Sequence, residues 1–344
     1  MPSYILKKDH LKSFLRKLAK DRRLVAPVKN RFGDTLFTEI DSLDDVDIDL
    51  DNQAQTSLKS FLLPQQQVLF EYKKDQASGP VFKAIDSGEP TVFFGLRSCD
   101  LSAILYMDVI FLKGEKDPYY RQKREDNILI SIGCNDPFAN CFCRQTKNGP
   151  FLEHGFDLQL TDLGDRYFVE TGRTQGEEIV RQWAHFFTPA SQEDERAQYQ
   201  VRLEAQGNFK RQVLVDLAIR KLQDDLVSEE VWSKLSSRCQ DCGGCAYICP
   251  TCTCFTIDDR KTSEESGERI RSWDACTFAG FTSMAGGHNP IDMDKERIKR
   301  RFMHKLYYDV KAHSRPSCVG CGRCVNMCFG GVDIIQFIKM AGES

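Results

Sequence analysis

The sequence predicts an α+β chain. A mixed α/β domain with a βαβ unit is expected over residues 1–190, a helical connector over 191–226, and a mostly α-helical, cysteine-rich domain over 227–344. Three observations predict this. Two short, almost wholly apolar runs, Thr91–Leu96 and Asn127–Gly133, flank a helix-like stretch at Leu101–Leu112. Residues 193–235 are charged, helical in pattern and free of proline. Eight of the fifteen cysteines, all beyond residue 238, fall into two copies of one spacing.

In chain order, Leu11, Phe14, Leu15 and Leu18 make an i, i+3, i+4, i+7 stripe after Asp9, which reads as an N-cap. Gln67–Tyr72 and Thr91–Leu96 read as strands, the second apolar enough to be covered on both faces. With the helix 101–112 and the strand 127–133 it makes a βαβ unit, whose strands must be parallel. Residues 155–171 alternate weakly and read as a hairpin. In the connector, Phe209, Val213, Leu214 and Leu217 are placed to face a core. The stretch from Asp292 to Tyr308 is again helical in pattern.

Composition narrows the function classes. A length of 344 residues fits about two domains. The net charge of −3 argues against nucleic-acid binding, which needs a basic surface. The longest apolar stretch, 101–112, is broken by Asp108 and too short to span a bilayer. The N-terminus Met1-Pro2-Ser3-Tyr4 lacks the basic start and apolar core of a signal peptide. A cytoplasmic chain is expected, its fifteen thiols reduced or occupied by metal. There is no G-x-G-x-x-G and no P-loop, so a flavin or nicotinamide would belong to another subunit.

The two cysteine copies are Cys239, Cys242, Cys245 and Cys249, followed by Pro250, and Cys318, Cys321, Cys324 and Cys328. Both read C-x2-C-x2-C-x3-C, the ligand run of a two-cluster ferredoxin, in which the fourth thiolate usually serves the other run's cluster. A [4Fe-4S] cube needs one thiolate per iron. Three on a short loop wrap three corners, and the fourth comes from a distant segment. Zinc is the competing reading, but two C-x2-C pairs would satisfy it and leave the rest of each run unexplained. The long insert between the runs, residues 250–317, favours a helical two-cluster ferredoxin-like domain over the small β-rich ferredoxin.

Four more cysteines, Cys99, Cys134, Cys141 and Cys143, lie at or near the C-terminal ends of the two parallel strands, the edge where open α/β sheets place ligands. A third [4Fe-4S] cluster there and four ordinary packed thiols are both compatible with that placement. Arg97 stands beside Cys99, either to offset cluster charge or as a surface residue. Cys252, Cys254 and Cys276 remain unassigned, with packed thiols the favoured reading. His288 lies in a turn-rich segment and reads as solvated or structural. Lys295, Arg297, Lys299, Arg300, Arg301 and Lys305 share a helix with the apolar Ile298, Phe302 and Leu306. A solvated basic face is favoured over cations that balance clusters or dock an acidic partner.

These residues resemble a known family. Cys239-Gln240-Asp241-Cys242-Gly243-Gly244-Cys245 through Cys249-Pro250-Thr251-Cys252-Thr253-Cys254-Phe255 looks like the first cluster segment in the iron–sulfur electron-transfer subunit of anaerobic sulfite reductase. It is also similar to the β subunit of soluble sulfhydrogenases, which are NAD(P)-linked NiFe hydrogenases. The likeness continues through Trp273–Cys276, Ala285–His288, His304-Lys305 and Cys318–Cys324, and in the N-terminal half through Gly95–Asp100 and Asn140–Cys143. Phe329 departs from it, standing where proline usually follows the last cysteine. The resemblance implies an electron-transfer subunit between a flavin-containing, NAD(P)H-oxidising subunit and a terminal sirohaem sulfite reductase or NiFe hydrogenase. The residues leave open a catalytic reductase with a substrate or flavin in the N-terminal crevice, and a zinc-bound scaffold.

Overall fold

A computed structural model describes residues 2–75, 79–85 and 88–343. Among them, twelve strands form two sheets. The strands are β1 (Ser3–Lys7), β2 (Arg23–Lys29), β3 (Thr35–Glu39), β4 (Gln66–Asp75), β5 (Gly79–Ala84) and β6 (Thr91–Leu96). They continue as β7 (Ile128–Ile132), β8 (Leu158–Asp162), β9 (Arg166–Thr171), β10 (Phe187–Pro189), β11 (Phe255–Lys261) and β12 (Ser266–Trp273).

The large sheet runs β10-β1-β9-β8-β7-β6-β2-β3. Its centre, β2, β6, β7 and β8, is parallel, and antiparallel strands flank it. β6 and β7 are neighbours joined through the helix Ser98–Leu112, which is the expected βαβ unit. Alternation explains why both strands are apolar throughout. Val92, Phe94, Ile128, Ile130 and Ile132 enter the core that holds Phe14, Leu15 and Leu18 of the helix Leu11–Leu18. Phe93, Leu96 and Leu129 enter the opposite core with Leu101, Ile104 and Met107. The hairpin in 155–171 is β8–β9. Asp9 is not a cap: a 3-10 turn, Lys8–His10, precedes the helix, and His10 occupies the N-cap without a side-chain bond.

The second sheet, β11-β12-β4-β5, is antiparallel and joins two hairpins distant in sequence. The insert between the cysteine runs is therefore β-hairpin first, with a 3-10 turn at Ala279–Thr282, and α-helical from Asp294. β11 has little apolar alternation of its own, and its pairing depends on β12, which β4 in turn holds. Helices Gln192–Gly207 and Val215–Gln223 fill the connector, and Glu229–Ser236 follows it. Val213 is buried and Leu217 half-buried, but Leu214 is 68% exposed, because Val215 and Ala218 supply the inward face of its helix.

The C-terminal core is built around Phe302, Phe337 and Trp232. Phe302 stacks on Phe337 at 4.4 Å between ring centres, and Trp232 stacks on Phe337 at 5.1 Å. Cys239, Cys318, Cys324 and Cys328 rest against this core. The basic stretch is not a solvated face. Arg297, Arg301 and Lys305, spaced four apart, are buried, while Lys295 and Lys299 pair with Glu229 at the rim. The helix needs that buried cationic row because thiols, not water, lie along it.

The second cysteine run docks directly on the N-terminal half. Phe142 N donates to Gly320 O at 2.8 Å. A Cβ on Gly320 would lie 2.6 Å from the Cys143 backbone, and one on Gly322 would strike the Asn140 carbonyl. Arg323, fully buried, pairs with Asp100 at 2.8 Å and donates from Nε to Ala54 O.

Two outcomes follow for stability. Phe302→Ala should cost roughly 3–5 kcal/mol by emptying an aromatic position in a close-packed core. Arg323→Met should cost about 3–5 kcal/mol, because Asp100 would stay buried without its countercharge. Denaturant titration of the intact chain measures both. A change within experimental error for Arg323→Met would mean that the Arg323–Asp100 pair contributes no net stability.

Candidate iron–sulfur centres

Both cysteine runs fold alike. In the first, Asp241 and Gly243 have positive φ (48° and 68°), and the short helix Gly244–Tyr247 follows. In the second, Gly320 and Gly322 have φ 67° and 75°, and the helix Arg323–Met327 follows. Left-handed residues alternating with ordinary ones turn successive N–H groups to one side, a concavity that suits anions and is common at Fe–S sites. Glycine fills three of the four left-handed positions, where a Cβ would be strained.

The runs exchange their last cysteines. Cys239, Cys242 and Cys245 line a cavity of about 70 Å³ together with Cys328 of the other run, and Arg301, Phe302, Met327 and Phe329 are among its other lining residues. Cys249 is correspondingly an electrostatic neighbour of Cys318, Cys321 and Cys324. Burial pushes the Cys318 thiol up to about 12 and the Cys239 thiol up to about 11. Thiols so shifted become ligands only against a metal, which deprotonates them outright. Val332 N points at Cys328 Sγ from 3.1 Å.

Buried cations face these thiols. Arg301 is 3% exposed, and its Nε and Nη1 have no hydrogen-bond partner. Burial opposes its charge, but Cys245, Cys324, Cys252 and Cys249 more than restore it. Lys305 donates to Thr251 O and Oγ1, both at 3.0 Å, next to Cys249. An orphaned guanidinium in such a place needs an anion, and the donor set is all thiolate. A sulfur-ligated cluster fits both demands. Among the described residues no three His, Cys, Asp or Glu side chains converge closely enough to hold a single metal ion.

Cys99, Cys134, Cys141 and Cys143 are all buried and gather at the C-terminal edge of β6 and β7. Cys141 and Cys143 both feel Cys134, and Cys99 feels Cys141. Burial pushes all four thiols up, Cys141 to about 12. Arg97 is not a surface residue. It is buried, donates to Gly133 O at 3.2 Å, and favours the thiolate of Cys134. Cys321 neighbours Cys99, Cys141 and Cys143, so the crevice abuts the second run. Gln53, which carries no sequence signal, donates to Cys321 O at 2.9 Å and faces Cys141 Sγ at 4.0 Å.

Cys252 and Cys276 are buried and Cys254 is half-buried. Cys252 neighbours Cys249, whose thiol it pushes down, and Cys276 does the same to Cys254, held at about 6; all four are free thiols. His288 is exposed in its turn. Lys59 is silent in the sequence, yet it is buried, donates to Ala246 O (3.3 Å) and Cys252 O (3.1 Å), and lies 3.8 Å over the Trp273 ring.

Residues 238–332, which hold both runs, match the family model of a 4Fe-4S dicluster domain. Over its length the chain is similar to Sulfhydrogenase 2 subunit beta of Pyrococcus furiosus, 28% identical over 338 residues that cover 98% of each chain. Residues 238–332 thus match a 4Fe-4S dicluster domain, inside a chain that is similar along its length to a sulfhydrogenase β subunit.

Proposed function

We propose that the chain is an electron-transfer subunit of a sulfhydrogenase-type oxidoreductase complex, and that its centres lie in a row. The observation that carries this reading is the cavity shared by Cys239, Cys242 and Cys245 with Cys328, since only a swapped pair of cubes asks for that exchange. On this reading Cys239, Cys242, Cys245 and Cys328 hold one [4Fe-4S] cluster, and Cys318, Cys321, Cys324 and Cys249 hold the other. Cys99, Cys134, Cys141 and Cys143 hold a third, supported by their common burial and by Arg97 and Arg323 beside them.

The clusters, when bound, supply one-electron transfer. The protein's own groups do the rest. Arg301 and Lys305 offset negative charge, Phe302 and the aromatic core exclude water, and Gly320 and Gly322 let the second run approach the third site backbone to backbone. The domain division at 190 and 226 belongs to the same proposal, with the β4–β5 hairpin of the first part completing the sheet of the last. The partners are a flavin-containing, NAD(P)H-oxidising subunit and a terminal catalytic subunit. The sulfhydrogenase likeness favours a NiFe hydrogenase over a sirohaem sulfite reductase as the latter. A cytoplasmic site of action belongs to the same proposal; no helix among the described residues is long and apolar enough to cross a membrane.

Anaerobic purification followed by iron and sulfide analysis tests the proposal. At least about twelve irons per chain are expected from three cubes. Cys242→Ser should lose or cripple one cube while the N-terminal half stays folded. Cys99→Ser should lower iron by about four and leave the paired signals of the dicluster domain intact. An iron-free, colourless wild type overturns the whole reading, and an unchanged iron content in Cys99→Ser removes the third cluster.

A further inference from the structure

We propose that Cys252, Cys254 and Cys276 form a further iron–sulfur ligand set, distinct from the two runs and from the N-terminal four. This rests on the reading that the chain carries clusters. The hairpin β11–β12 assembles the set. Cys252 and Cys254 lead into β11, and as alternate residues they can present thiols to one side. Cys276 follows β12. The register Phe255↔Trp273, extended by the bond from Asp274 N to Cys254 O at 3.0 Å, brings the two ends together. β4 clamps the hairpin from the other half of the chain.

The charge around these thiols says what they hold. Lys59, Arg301 and Lys305 are each 3% exposed, and among the described residues no carboxylate pairs with any of them. A buried ion without a counter-ion costs several kcal/mol. Arg301 faces thiols of both runs, and Lys305, bonded to Thr251, is favoured as a cation by Cys249 and Cys252, so cubes in the two runs account for much of their charge. Lys59 is different. It reaches across from the N-terminal half and donates to Cys252 O at 3.1 Å; burial works against its charge and holds it below the usual lysine range, and Cys252, then Cys249 and Cys254, are the groups that oppose this. On the same flank Arg300 lies near Cys254, and its Nη1 is enclosed without a partner. Lys59 meets only two carbonyls and the Trp273 ring, and half-buried Arg300 the Phe281 ring, so neutral packed thiols would give neither a counter-anion. A Cys254–Cys276 disulfide would remove negative charge and make the imbalance worse. Three thiolates on a metal centre supply it.

Soft thiolates in one place select zinc or an Fe–S cluster. The adjoining Cys249 already serves a cube, and a cluster beside it would extend the row of centres rather than end in an inert ion. Three thiolates hold three corners of a cube. With the other twelve cysteines assigned, the fourth iron takes a non-thiolate ligand.

The test uses the full chain purified without oxygen, assayed for iron, sulfide and zinc, with thiols blocked at once for mass determination. Cys276→Ala and, separately, Cys254→Ser should each lose about four irons relative to wild type while the absorbance and electron paramagnetic resonance of the remaining cubes persist. Zinc should stay at background in all three proteins. Unchanged iron in both variants overturns the inference in favour of packed thiols. Loss of zinc in place of iron overturns it in favour of a zinc site. A wild-type chain lighter by two protons, with Cys254 and Cys276 protected from blocking, overturns it in favour of a disulfide. Using two variants guards against one that does not fold. A wild type that contains iron, with both variants unchanged, removes this site alone, whereas an iron-free wild type removes the cluster reading itself.

Discussion

Buried positive charge set against buried thiols is the constraint on which the rest of this molecule depends. The row Arg297, Arg301 and Lys305 lies inside the protein on one helix face. Arg297 is met by Asp241 and Asp294. Arg301 and Lys305 are not met by carboxylates and look instead into sulfur. A cation costs several kcal/mol to bury and recovers it only from a close, permanent anion. Such an arrangement is stable when its thiols are thiolates, which is what metal ligation makes them. At Lys305 the helix widens into a π turn, His304–Tyr308, a distortion that recurs at functional sites because it rotates the following side chains out of the regular register.

The same constraint ties the two halves of the chain together. Arg323 follows the second run's Cys321 but pairs with Asp100 of the 98–112 helix. Lys59 comes from the N-terminal half but serves the loop after Cys249. Tyr106 donates to Asp309 at 3.0 Å across the same junction. The sheet β11-β12-β4-β5 has strands from both halves. Separating the halves would therefore expose backbone edges, break buried ion pairs and open the ligand sets together. This explains why the 98–112 helix is apolar nearly all round, since it has the large sheet on one side and the cysteine-rich part on the other.

Legibility differs by element for physical reasons. β6 and β7 are plain because strands covered on both faces must be apolar at every position. The helix Leu11–Leu18 is plain from its stripe, but its entry is not, since Asp9 has the right chemistry for a cap and a 3-10 turn displaces it. The hairpin β11–β12 escapes notice because its sequence, largely charged, carries no alternation strong enough to override the helical expectation for the insert. Leu214 misleads because a helix face is defined by its neighbours, and Val215 takes the inward place. The basic stretch misleads for a deeper reason. Charge in a sequence normally means solvent, and only the thiols opposite make its burial tolerable.

The sequence by itself determined the two cysteine runs, because their ligands lie within a few positions of one another, and the parallel βαβ unit, because two wholly apolar strands joined through a helix pair in only one direction. Tertiary structure alone decided that the crevice thiols abut Cys321, that the cations Arg301 and Lys305 are buried against thiols, and that Lys59 and Gln53 belong to the same neighbourhood. Those relations depend on the docking of segments hundreds of residues apart. Docking is governed by close backbone approach and charge balance in the interior, neither of which leaves a periodic mark along the chain.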